Sequence, residues 1–292
     1  MSMRKKRAEL LHQTLFLGPS LVFFFMIVII PFIMGVFYSF TNWNGVSSQS
    51  SWVGLDNYIY LFTDDEEFLN SFNFTFRFTL VSGILNNALG LAFAILLTQS
   101  TKLKNLLRPI LLLPNVIGGV ILGFIWNFIF VAGFGGIAEA TGWSYFGGWL
   151  GDSLTGFWGI VIVSAWQGSG YLMVIYIAAL MGIEKDLVES ARMDGASGFK
   201  LFRHIHFPLI MPAVTICVFL ALTGGLRIFD VVFSLTSGGP FGSTKSVAYN
   251  IWDDFSGVYY GLGTAKSVVL FLTVALVSVV QVLLMKKKEV AS

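Results

Sequence analysis

The chain has 292 residues, 55% of them hydrophobic and only 12% charged, where an ordinary soluble domain carries about 25% charged residues. A mean hydropathy of +0.77 leaves too little polar surface to cover a water-soluble globule, and the formal net charge of +2 matters less than how it is distributed. One cysteine, Cys217, excludes an internal disulfide framework and any CxxC metal pair, and the three histidines (His12, His204, His206) have no HExxH spacing.

A bilayer core needs about 20 apolar residues as helix, and six segments of the sequence qualify, at about 15–40, 75–97, 109–131, 156–181, 209–228 and 265–285. The first is too long for a signal-peptide core and no small-residue cleavage site follows it, so it is expected to be a retained span. Segment 41–74 reads as an outer loop holding Val53-Gly54-Leu55-Asp56-Asn57-Tyr58. Arg77, near the start of the second span, is expected to snorkel outward. Trp126, Trp143, Trp149 and Trp158 lie near predicted span ends, as interfacial belts require.

The fourth span carries Ser164-Ala165-Trp166-Gln167-Gly168-Ser169-Gly170-Tyr171. An aromatic plate, an amide and interrupting small residues suit a concave site for a hydroxyl-rich ligand. Small residues also let membrane helices approach closely, so helix packing stands as an equal reading. At the end of the fifth span, Arg227 and Asp230 sit three apart and are expected to pair locally. A second outer loop, 229–263, holds Leu235-Thr236-Ser237-Gly238-Gly239-Pro240, which is also a good turn sequence.

Fourteen of the eighteen basic residues fall on one side of this layout, in four groups: Arg4 to Arg7; Lys102, Lys104 and Arg108; Lys185, Arg192, Lys200 and Arg203; and Lys286 to Lys288. The opposite side holds Asp56, Asp64, Asp65, Glu66, Glu67, Glu139, Asp152, Asp253 and Asp254. The asymmetry predicts both termini in the cytoplasm.

Between the fourth and fifth spans lies a polar stretch, Glu189-Ser190-Ala191-Arg192-Met193-Asp194-Gly195-Ala196-Ser197, closed by Ile205-His206-Phe207-Pro208. Read as a helix over 184–194, it puts Leu187, Val188 and Ala191 on one face. Lys185–Glu189 and Glu189–Arg192 fall at pairing distance on another. Gly195 suits the left-handed position that ends a helix, Ser197 can cap a second helix through its hydroxyl, and Pro208 marks the bend into the next span. Taken alone, the charge pattern also fits an ordinary charged loop.

The order Glu-x-Ala, Asp-Gly-Ala, then x-Phe-Pro resembles the EAA loop of ATP-binding-cassette importer permeases, with Ser190 and Phe207 as mild departures. The two outer-loop stretches resemble the "FVGLxNY" and "LTxGGP" segments of the carbohydrate-uptake, maltose-type branch. The resemblance implies an all-α integral membrane protein with six transmembrane helices in the type I ABC importer permease fold. It implies both termini cytoplasmic, one permease domain over 1–292, and an EAA coupling loop over 183–208. Glu189, Ala191, Asp194, Gly195 and Ala196 would couple to the ATPase. Laid onto this chain, the family's sugar contacts fall near Ser164, Gly168 and Tyr171 and near Gly224, Gly225 and Ile228, beside Trp166 and Gln167 of the same run.

The implied partners are a second homologous permease, an ATP-binding-cassette ATPase dimer, an extracytoplasmic sugar-binding protein and a di- or oligosaccharide; no nucleic acid partner is implied. The expected location is a bacterial or archaeal cell (inner) membrane. The chain has no GxxxxGK[ST] phosphate loop, so ATP and Mg would be bound by the partner, with no catalytic residue, metal or cofactor here. Three rivals stand beside this reading. A glycerol phosphate permease would want buried cations, for which Arg227 is the candidate. An ion-coupled secondary transporter would want intramembrane carboxylates and inverted repeats. A membrane enzyme would need a nucleophile–base or metal cluster.

Overall fold

The computed structural model describes residues 15–47, 50–98 and 104–287. The basic residues 4–7, 102 and 288 lie outside them. The described residues are helical, without a strand; Thr41 and Trp52 form an isolated bridge. Five helices are long and apolar enough to cross a membrane, or six if the bent pair Gly198–Leu209 and Met211–Leu226 counts as one span. By their contacts the residues divide into two compact units, Met1–Asp64 with Ile251–Val269, and Asp65–Asn250 with Leu270–Ser292.

In the first unit, α1 (Leu15–Tyr38) is apolar throughout. Its turn at Phe25–Ile29 widens to π geometry just before Pro31, whose ring cannot continue a regular α ladder. The stretch 53–58 then folds back onto the end of α1. Asn57, in α2 (Asp56–Thr63), donates from Nδ2 to the Ser39 and Thr41 carbonyls at 2.8 and 2.9 Å. The Tyr58 and Ser39 hydroxyls share a 2.6 Å hydrogen bond. These side chains take up carbonyls that α1 leaves open at its end.

The same unit holds a buried charge pair that the sequence reading did not single out. Lys266, in α12 (Tyr260–Lys286), lies 2.8 Å from Asp254, in α11 (Val247–Ser256), with side chains 2% and 14% exposed. A lone charge at that depth would be costly, so each group neutralises the other. Segment 229–263, expected as a loop, therefore contains helix, and α12 begins five residues before its predicted start.

The second unit is built on α3 (Glu66–Thr98) packed along α6 (Ser153–Met181). Both begin earlier than hydropathy alone predicts because an aspartate caps each. The Phe68 N–H donates to Asp65 Oδ1 at 2.8 Å, and the Leu154 and Thr155 N–H groups donate to Asp152 Oδ1 at 2.8 and 3.0 Å. The Thr155 hydroxyl and these amides hold the Asp152 carboxyl below the usual carboxylate range. Along the contact, Tyr176 donates to Asn87 Oδ1 at 2.7 Å, and Asn87 Nδ2 donates to the Gly83 carbonyl at 2.8 Å. Arg77 is exposed, with its guanidinium over the Phe157 ring.

The predicted third span, 109–131, is not one helix. It divides into α4 (Lys104–Val116) and α5 (Gly119–Thr141), with Gly118 extended between them at φ −58°, ψ 138°. Pro109 and Pro114 remove two amide donors from α4, and the Gly118-Gly119 pair has low helix propensity where the helix breaks. The stretch long enough to cross a membrane is α5, ten residues beyond the prediction. The bend expected at Pro208, on entry to the fifth span, is present: α8 (Gly198–Leu209) meets α9 (Met211–Leu226) at 74°, with Pro208 and Pro212 on either side of Ile210. A short helix, α10 (Asp230–Leu235), packs on α5, where Asn127 Nδ2 donates to the Leu235 carbonyl at 2.7 Å.

The buried Lys266–Asp254 pair yields a direct expectation. Lys266→Met, which removes the ammonium from beside the Asp254 carboxylate, should lower stability by about 3–5 kcal/mol, and adding Asp254→Leu should recover most of the loss. Thermal unfolding of the purified protein in detergent measures both; equal losses in the single and double variants would show that the charges do not depend on each other.

Candidate functional site

A cavity of about 430 Å³ opens inside the second unit, where the middle of α3 and α6 meets the α4–α5 break and the end of α9. Of the predicted pathway residues, Ser164, Gln167, Gly168 and Tyr171 line it from α6, and Gly224, Gly225 and Ile228 line it from α9 and the segment after it. Trp166 does not. At about 100° per residue, positions 164, 167, 168 and 171 share one face of a helix and 166 falls on another. Trp166 instead lines a second, mostly apolar hollow of about 310 Å³. There it meets Trp126 edge to face, with ring centroids 5.5 Å apart. Trp126 thus packs against aromatic neighbours, and Trp149 stacks on Phe130 with centroids 5.0 Å apart.

Three cavity residues come from α3, which the sequence reading did not connect with the pathway: Phe78, Ser82 and Asn86. Their i, i+4, i+8 spacing was a usable signal, because polar residues on one face of a membrane helix mark a pathway or a packing seam. Asn115, beside the helix break, also lines the cavity.

The expected Arg227–Asp230 pair is not formed. Arg227 Nε donates to the Thr223 carbonyl at 3.1 Å, and both charged residues line the cavity. Each suits its own helix end: Arg227 closes the C-terminus of α9 and Asp230 lies in the first turn of α10. Gln167 is committed in part, since its Nε2 donates to the Ile117 carbonyl at 3.2 Å and satisfies backbone freed by the α4–α5 break. Asn86 Oδ1 and Ser164 Oγ are buried without a hydrogen-bond partner.

The polar stretch after α6 folds as a helical hairpin. Its first arm, α7 (Lys185–Met193), ends at Gly195 with φ +83°. The Gly195 N–H donates to the Arg192 carbonyl at 3.0 Å and the Ala196 N–H to the Ala191 carbonyl at 2.9 Å, the paired bonds of a Schellman turn. Ser197 stands at the start of α8, but its hydroxyl makes no capping bond; its carbonyl accepts from the Lys200 amide instead. Lys185–Glu189 and Glu189–Arg192 form no ion pair. The charges of Glu189 and Asp194 are exposed, while Ala191 and Ala196 are half-buried. Met193 and Phe199 project apolar side chains, 89% and 74% exposed. Among the described residues, no three His, Cys, Asp or Glu side chains are grouped to hold a metal ion.

Residues 86–289 match the family profile described as "Binding-protein-dependent transport system inner membrane component". The chain is 46% identical to the "Probable starch degradation products transport system permease protein AmyD" of Thermoanaerobacterium thermosulfurigenes, over 94% of each chain. It is 32% identical to the "Multiple sugar-binding transport system permease protein MsmF" of Streptococcus mutans, over 93% of this chain and 92% of that one. Among solved structures, it superposes on a chain of a bacterial ABC transporter involved in alginate import with a TM-score of 0.82 at 20% identity, covering 97% and 96% of the two chains.

Two glycines, Gly170 at the α6–α4 crossing and Gly224 in the cavity wall, give a contrast in substitution. A Cβ at Gly170 would stand 1.9 Å from the Leu111 carbonyl, whereas one at Gly224 meets nothing within 4 Å. Gly170→Ala should force α4 off α6 at about 1–3 kcal/mol. Gly224→Ala should change stability by less than about 0.5 kcal/mol. Melting temperatures of the two purified variants would test the ordering, and a stable Gly170→Ala protein would contradict the close crossing.

Proposed function

The chain belongs to the family of binding-protein-dependent transport system inner membrane components, and from that membership we propose that it is one pore-forming half of an ATP-driven sugar importer in a prokaryotic inner membrane. The observation that carries the reading is the cavity. Seven of the eight pathway residues chosen from sequence line one space, with an aromatic ring and hydrogen-bonding groups around it. Tyr171 offers a ring face and a hydroxyl to a sugar. Gly224 leaves the opposite wall open. The names of the similar chains, which concern starch degradation products and multiple sugars, support a di- or oligosaccharide cargo.

In this reading a second, homologous permease completes the pore, and an extracytoplasmic binding protein delivers the sugar. Both termini and the hairpin face the cytoplasm, on the basic side of the chain. The hairpin docks on an ATPase subunit, which binds ATP and Mg. Ala191 and Ala196 permit close approach, Glu189 and Asp194 meet basic groups, and Gly195 holds the turn. The exposed Met193 and Phe199 supply the apolar contact that a docking element needs. ATP-driven closure of the ATPases pulls the hairpins together and switches the cavity from inward- to outward-facing. A phosphorylated cargo is less well served. The cavity brings a carboxylate, Asp230, into the same lining as its one cationic side chain, Arg227.

Two measurements test this. Gly195→Pro cannot adopt φ +83° and loses the amide bonded to Arg192. That variant, or Glu189→Lys with Asp194→Lys, should reduce sugar-stimulated ATP hydrolysis at least tenfold while the chain still inserts; normal transport at normal expression would remove the coupling role. For orientation, a cysteine at Ser51 should react with an impermeant thiol reagent added outside intact cells and one at Ser197 should not. The reverse pattern would overturn the orientation and the docking together.

A further inference from the structure

The hydrogen-bond pattern around the cavity separates polar groups that hold the fold from those left over. Two adjacent amides on α3 show the difference. Asn87 is fully engaged, accepting from Tyr176 and donating to the Gly83 carbonyl. Asn86 lines the cavity, and its Oδ1 is buried with no partner. A buried acceptor without a donor costs free energy, and native proteins keep few of them. Across from it on α6, Ser164 Oγ is in the same condition. Gln167 Nε2 and Arg227 Nε, by contrast, already serve backbone carbonyls.

Gly168 makes room for this arrangement. A Cβ there would come within 2.7 Å of Asn86 Oδ1 and 3.1 Å of its Cγ, so the amide occupies the space that any larger residue would take. Ser164 precedes Gly168 by one helical turn on the same face of α6. The cavity thus presents two unpartnered oxygens, one from each wall, an amide oxygen that needs a donor and a hydroxyl that can accept or donate, beside charges of opposite sign. A neutral molecule with several hydroxyl groups meets that requirement, because each hydroxyl can donate without bringing net charge.

We propose that Asn86 is a substrate-binding residue that sets sugar selectivity, its amide accepting a cargo hydroxyl in the space left by Gly168, with Ser164 taking a second. The inference rests on the proposed importer function and adds a helix, α3, to the sugar contacts. A site built to receive a hydroxyl discriminates strongly against an analogue that lacks it. Asn86 should therefore affect which sugars pass more than how the complex assembles.

The test uses the complete importer reconstituted in proteoliposomes, with its partner permease, ATPase and binding protein. Uptake is measured across maltose, maltotriose, trehalose and a series of monodeoxy-maltoses at saturating binding protein. Asn86→Ala and Asn86→Leu should lower the maximal uptake rate about tenfold for the best sugar. They should also flatten the preference for it over the deoxy analogue that lacks the matching hydroxyl. Asn86→Ser should retain part of the preference, and Gly168→Ala, which displaces the amide without removing it, should mimic Asn86→Ala. ATPase co-purification and binding-protein affinity should stay at wild-type levels. Uptake within twofold of wild type with the same sugar ranking would overturn the proposal. So would failure of Asn86→Ala and Asn86→Ser alike to co-purify with the ATPase, which would make the amide a structural tie. A wild-type complex that moves none of these sugars would overturn the proposed function itself, and the role of Asn86 with it.

Discussion

Backbone groups inside hydrocarbon must find partners within the protein, because no water is there to take them. That constraint governs where this chain can open. A continuous helix satisfies itself, but this cavity lies beside the α4–α5 break and the end of α9, and each such end frees carbonyls. In the second unit, side chains take up carbonyls at or near these ends. Gln167 serves Ile117 at the α4–α5 break, Ser246 serves Ile228 after α9, and Asn127 serves Leu235 at the end of α10. Gln167, Ser246 and Asn127 thus hold backbone ends around the cavity.

This changes how an intramembrane polar residue is read. Gln167 fits the chemistry of sugar binding, yet its amide nitrogen is committed to the backbone, and Asn87 is wholly committed. Only hydrogen-bond bookkeeping singles out Asn86 and Ser164, whose oxygens remain unpartnered. The charges follow a similar logic. Arg227 and Asp230 each complement a helix end, which explains why residues three apart do not pair with each other. Lys266 is tolerated because Asp254 comes from a different helix to meet it.

The hairpin works on other terms. Its turn is fixed locally by Gly195 and two backbone hydrogen bonds, without ion pairs among Lys185, Glu189 and Arg192. Its charged residues Lys185, Glu189 and Arg192 are exposed, and Met193 and Phe199 project apolar side chains from it. A turn fixed in this way by its own backbone keeps its shape without help from side-chain pairs.

The sequence by itself determined the helical membrane class, because hydropathy and charge asymmetry are properties of composition along the chain. It also determined the hairpin turn, because Gly195 is a local requirement, while Ser164, Gly168 and Tyr171, which line the cavity, came from the family resemblance and not from the residues alone. It placed Trp166 on the wrong side, since a run of consecutive residues was read without its angular spread. Pro208 marked the bend into the fifth span, found as 74° at Ile210, whereas the break of the predicted third span at Ile117–Gly118 was decided in three dimensions. An apolar run looks the same to hydropathy whether its backbone is continuous or is interrupted and satisfied from elsewhere. The part of Asn86 in the cavity and the Lys266–Asp254 pair were decided there as well. Both depend on contacts between helices far apart in sequence, and no window along one chain contains them.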